Sequence, residues 1–184
     1  TAPLSIGADE SNGWRSYLTL DLNGKTISCT GIDNATVCNS ITLTICDSSA
    51  EKTGGIQQND NFYAVQSGQG GKLTITGGTF GKVGIFGDGV ISGGTFSEIW
   101  VFDLFSSPEK LYTVLKDGYA FANSDGSIVN GYENTNAKNV TVVEHSHSGA
   151  SCVCGYTCDH SQMESTTGNC ASCGEPVAQA SVTA

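Results

Sequence analysis

The chain has 184 residues, enough for one good core, and carries 18 acidic against 8 basic side chains, a net charge of −10. It has no basic stripe, which makes nucleic acid and anionic membrane surfaces poor partners. No apolar run approaches the roughly 18 residues of a membrane span, so membrane insertion is not expected. The sequence opens at Thr1 without a charged-then-apolar leader, and its one methionine is Met163. It reads as an internal piece of a longer protein.

In chain order, the first alternation of apolar and small polar residues is YLTLDLNGKTISC at 17–29. ITLTICDSS at 41–49 repeats it, and LTITGGTFGKVGIFGDGVISGGTF at 73–96 repeats it twice more. Leu20, Ile45, Ile75 and Ile91 then occupy one equivalent position. A second strand follows each turn, as KTIS, TGGI, GGTF and GGTF. A third follows that, as ATVCNS, YAVQSG, VGIFGD and IWVFDL, with Val37, Val65, Ile85 and Val101 equivalent. Period two is the strand signal. Short strands that recur in threes, each too small to bury its own apolar face, predict a stacked solenoid of the parallel β-helix kind. An antiparallel sandwich of similar strands is the competing architecture.

A solenoid needs a covered end. SSPEKLYTVLKDG predicts a capping helix at about 107–117: Ser107 as N-cap, Pro108 in the first turn, Leu111, Val114 and Leu115 as the apolar stripe, and Gly118 at the end. A hairpin around SDGS and a last strand, NVTVVEH, follow. The predicted β-helix domain with its cap is 1–143, and 144–184 is a Cys/His-rich connector. The composition change marks that boundary: five of the eight cysteines and all three histidines lie in the last quarter.

The connector carries the metal chemistry. Zinc prefers four nitrogen or sulfur donors in a tetrahedron. Cys158, His160, Cys170 and Cys173 make one closed set, with CASCG supplying two thiolates on a tight turn. His145, His147, Cys152 and Cys154 make a second, poorer one; alternatively Cys154 replaces His160 in the first. A filled site of this kind is structural and folds a segment too small for a core. Disulfides are the competing reading. Cys29 continues the inward alternation, whereas Cys38 and Cys46 fall on outward positions without an assignable role.

The repeats themselves look chemically inert. They hold no histidine, no serine elbow and no phosphate loop. Asp21, Asp47, Asp88 and Asp103 read as outward acids scattered over different faces, and a carboxylate pair for glycoside hydrolysis would need two of them to converge. If Ile85 and Val101 point inward, then Phe86, Trp100 and Phe102 point out as a row able to stack on sugar rings or anchor a protein. The bland alternative is that the cap covers them.

TLDLNGKTIS, LTITGGTF…VISGGTF, LKDGYAFANSDGSIVNG, VTVVEHSHS and CDH…TGNCASCG, in that order, resemble one repeat module of large cell-surface proteins of Gram-positive gut Clostridia and their relatives. The resemblance runs from about residue 17 to 174. It implies a pectate-lyase-like, right-handed parallel β-helix without lyase residues, strung in tandem through Cys/His-rich connectors. It also implies an extracellular, adhesive role. Two features depart from the pattern: residues 1–16 lack a clear opening strand pair, and cysteines stand at 29, 38 and 46. The expectation is a non-catalytic adhesion or recognition module, not an enzyme, binding a host glycan or a secreted host protein such as mucin or immunoglobulin, with neighbouring repeats of the same chain as further partners. The alternatives are a ligand-free stalk and, third, a polysaccharide lyase or glycosidase.

Overall fold

The computed structural model describes residues 4–6, 17–30, 34–58, 61–68, 70–147 and 151–157. The chain is all-β, built from two mainly parallel sheets. One sheet stacks β2 (Tyr17–Asp21), β5 (Thr42–Cys46), β8 (Lys72–Ile75) and β10 (Gly89–Ile91) in parallel. The other begins with β1 (Leu4–Ile6), β4 (Val37–Asn39) and β7 (Val65–Ser67), and continues through the long strands β9 (Thr79–Phe86) and β11 (Thr95–Phe102). β3 (Thr26–Cys29) and β6 (Gly55–Gln58) stack beneath the first half of β9. Residues 4–6 thus supply an opening strand, pairing Leu4 with Val37.

The sequence repeat is visible as stacked rows. Leu20, Ile45, Ile75 and Ile91 pair in succession. So do Ile27, Ile56, Phe80 and Phe96. The third row differs from expectation: Val65 pairs with Val83, not Ile85, and the row runs Val37, Val65, Val83, Ile99. Ile85 and Val101 pair one step further along. In the last two repeats the second and third strands fuse into single eight-residue strands, because no extra loop separates them there.

The rows form one core. Ile45, Ile56, Val65, Ile75, Phe80, Ile85, Ile91 and Phe96 have no exposed surface. Phe80 and Phe96 stack at 5.3 Å with 17° between their planes. The second glycine of the corners at 77–78 and 93–94 makes the turn. Gly78 and Gly94 take φ of 114° and 108°, a conformation open to glycine at little cost, and their carbonyls accept the amides of Thr95 and Val142. Gly93 lies against the Thr76 carbonyl, with no room for a side chain.

The C-terminal end is covered without a helix. Residues 107–117 form only a 3-10 turn, Leu111–Val114, that buries Leu111 and Val114. A spacing of three serves the 3-10 period as well as the α period, and Tyr112, Thr113 and Val114 are indifferent helix formers. Ser107 does not cap a helix; its amide and carbonyl close a tight loop on Asp103. Leu115 then bridges in parallel to Ile91. β12 (Tyr119–Asn123) and β13 (Asn136–Glu144) complete the cover, with β13 antiparallel to both β11 and β12. The SDGS turn closes as read, Asn123 N–H donating to Ser127 at 2.8 Å. Phe121 packs edge-on to Phe96 at 6.1 Å, sealing the core.

Candidate metal centre and aromatic face

β13 delivers the chain to His145 and His147, whose rings lie 5.8 Å apart. The His145 amide donates to the Gly118 carbonyl at 2.8 Å, tying this exit to the cap. Opposite, residues 151–157 form a tight turn. Ser151 bridges Thr157, Cys152 N–H donates to Tyr156 O at 2.8 Å, and Gly155 N–H to Cys152 O at 2.9 Å. Gly155 takes a φ of 93° and lies against Asn130 and Tyr132, where a side chain would collide. The Cys154 carbonyl accepts the Gly131 amide at 2.9 Å, so the turn is pinned to the body of the protein.

The two halves bring four donor atoms together. His145 Nε2 lies 2.9 Å from Cys152 Sγ, and His147 Nδ1 lies 3.4 Å from Cys154 Sγ. All four ligand atoms lie within 4.8 Å of one another. Zinc bonds of roughly 2.0–2.3 Å would set tetrahedron edges of roughly 3.3–3.8 Å, and the observed separations bracket that range. His145, His147, Cys152 and Cys154 can therefore hold one metal ion. Burial holds the His147 imidazole below its ordinary pKa, with His145 adding to the effect and Asp117 opposing it. This favours the neutral form that ligates. Burial pushes the Cys154 thiol up; a backbone hydrogen bond at Tyr156 pulls it down, and Cys152 raises it further. An ion would have to displace the thiol protons.

A column of rings supports the centre. Tyr112 of the 3-10 turn stacks on Tyr132 at 4.1 Å. Tyr132 meets Tyr156 edge-on at 6.1 Å, and Tyr156 stacks on His147 at 4.0 Å. This packing orients a ligand ring, the task of outer-shell groups in metal sites. Nothing in the spacing of the three tyrosines announces it. Of the two ligand sets read from the sequence, the poorer one is assembled. Cys158, His160, Cys170 and Cys173 lie outside the described residues.

Phe86, Trp100 and Phe102 do gather on one face and are half-buried. Phe86 and Phe102 stack at 4.6 Å with 12° between planes, and Trp100 lies 6.0 Å from Phe102 with 6° between planes. The 4.6 Å separation matches the strand spacing, so these two rings stand edge-on to the sheet and turn their faces to each other. Tyr63 extends the row, and Lys82 Nζ lies 4.8 Å from its ring centre. Beside it, Glu98 pairs with Lys138 at 3.4 Å. Burial raises the Glu98 carboxyl, but the neighbouring Trp100 indole and Lys138 outweigh it and hold it below the usual range.

The acids do not behave as one outward set. Asp47 is buried, its carboxylate accepting the amides of Gly24, Ser49 and Gly54 and the Ser49 hydroxyl. Asp21 accepts the amides of Asn23 and Ser48, and Asp103 those of Phe105 and Ser107. All three are turn-forming acceptors, a role the Asp-Ser and Asp-x-x-Ser stretches foreshadow. No protein-family model, curated protein or solved structure matches the chain, so its functional reading rests on this geometry.

Proposed function

We propose that the chain is a non-catalytic adhesion or recognition module of an extracellular cell-surface protein. It would be a parallel β-helix closed at its C-terminal end by a structural zinc centre, and would bind a host glycan or a secreted host protein such as mucin or immunoglobulin. The observation that carries recognition is the row of Tyr63, Phe86, Trp100 and Phe102, half-exposed on one face and sharing ring contacts along its length. Aromatic rows at a surface are the residues that anchor partners. Three parallel rows of equivalent residues support the β-helix. The all-nitrogen-and-sulfur donor set of His145, His147, Cys152 and Cys154 favours zinc over hard cations, which take oxygen. Both described histidines belong to that centre, which leaves neither to activate a nucleophile in the repeats.

A stalk that spaces other domains and binds nothing is the second reading. It is favoured by the way Phe86 and Phe102 spend their faces on each other. A pull-down from mucosal secretions separates the two, using the chain and a Trp100→Ala variant of matched thermal stability. A partner retained by the first and lost by the second supports recognition on this face. Nothing retained by either supports the stalk.

A further inference from the structure

We propose that a cleft beside the aromatic row binds a cationic, apolar segment of a partner protein, with Phe105 as its anchor. This rests on the recognition reading above and names the partner's chemistry. The cleft, about 540 Å³, opens between the corner at 87–90 and the loop at 103–107. Its lining includes Lys72, Asp88, Phe102, Leu104, Phe105 and Glu109, and so continues from the aromatic row through Phe102.

The loop is built to hold an apolar side chain in water. Phe105 is 87% exposed and Leu104 is 50% exposed. Asp103 N–H donates to Ser107 O and Ser106 N–H to Asp103 O, while the Asp103 carboxylate takes the amides of Phe105 and Ser107 at 2.8 and 2.7 Å. Ser106 takes a φ of 66° to close the turn. Leu104 leans on Gly87, whose φ of 93° suits glycine. Four hydrogen bonds thus hold the backbone that carries a phenyl ring where it contributes little to the core. An exposed aromatic beside a cleft is a side chain that a partner can bury as an anchor.

Charge selects the occupant. Asp88, Asp103 and Glu109 face the cleft against the single ammonium of Lys72. A chain of net charge −10 is a poor partner for a second copy of itself. A neutral saccharide offers no charge to match three carboxylates. A peptide carrying Arg or Lys beside an aromatic or aliphatic residue matches both features of the site.

The test selects a random 12-residue peptide display library against the immobilised full chain. The expected pool is rich in Arg or Lys next to apolar residues. It should bind about tenfold or more weakly to Phe105→Ser, the scale of an anchor residue, and more weakly to a double Asp88→Asn, Glu109→Gln variant. Phe105 contributes so little to the core that the serine variant should keep the parent melting temperature. No enriched pool, a pool without excess basic residues, or a pool that binds Phe105→Ser as well as the parent would overturn the proposal. So would binding to an array of neutral oligosaccharides that disappears in Phe105→Ser, since this would assign the cleft to sugars. A partner drawn from secretions and lost on Trp100→Ala, with no peptide pool, would sink this inference and leave recognition standing.

Discussion

At Asp47, burial alone would raise the carboxyl pKa, yet the hydrogen bonds from Ser49, Gly24 and Gly54 hold it at about 2. This residue is expected among the outward acids, yet period two puts it on the side of Leu43 and Ile45, and its buried carboxylate becomes the hub of two successive corners. A carboxyl whose folded pKa lies below its unfolded value of roughly 3.9 favours the folded state only when ionised. Its contribution is full above that unfolded value and fades as pH falls toward about 2. Thermal melts should therefore show Asp47→Asn less stable than the parent at pH 7, with the gap closing between pH of about 4 and about 2. A gap independent of pH would mean that shape, not charge, holds the corner. Gly155 allows a second test. With a φ of 93° and Asn130 against it, Gly155→Ala should distort the Cys152–Cys154 turn and weaken metal retention in a competition with a chromogenic chelator. Gly70, also at positive φ but in open space, is the control: its alanine variant should retain metal as the parent does.

Among the elements, the strands of the first sheet were fully legible. Leu20, Ile45, Ile75 and Ile91 follow from alternation and the repeated GG corner, and they pair as read. The third row slipped by two residues because Val83 and Ile85 both point inward, and a period-two pattern is blind to a shift of two. The loops before β4 and β7 decide that register, and the continuous strands β9 and β11 have no counterpart to them. The capping helix differs for a related reason: Leu111 and Val114 satisfy either helical period, and the turn ends where Leu115 becomes extended and bridges Ile91. The second-strand row yields a quantitative expectation. Phe96 is fully buried, stacks on Phe80 and meets Phe121, so Phe96→Ala should cost about 3–5 kcal/mol in denaturant unfolding. Phe105→Ala, on the exposed loop, should change stability by no more than about 0.5 kcal/mol.

Across the whole molecule, the core ends where the cover of β12, β13 and the 3-10 turn begins, and the His145, His147, Cys152 and Cys154 cluster lies where the next segment meets that cover. Spacing alone offered two ligand sets and ranked Cys158, His160, Cys170 and Cys173 first for the tight CASCG turn, although either set can close a tetrahedron. What brings His145 and His147 to Cys152 and Cys154 is the path of β13 and the column from Tyr112 to Tyr156. Removing the ion should loosen the 151–157 turn while leaving the stacked rows intact. Amide exchange should then rise at Cys152 and Gly155 and stay slow at Ile75 and Phe96. The most direct measurement is elemental analysis of the purified chain beside two variants, Cys152→Ser with Cys154→Ser and Cys170→Ser with Cys173→Ser. A zinc centre complete within 145–154 predicts one equivalent of zinc lost from the first variant and that equivalent kept by the second. Equal zinc in the parent and the first variant, or none in the parent, would contradict it.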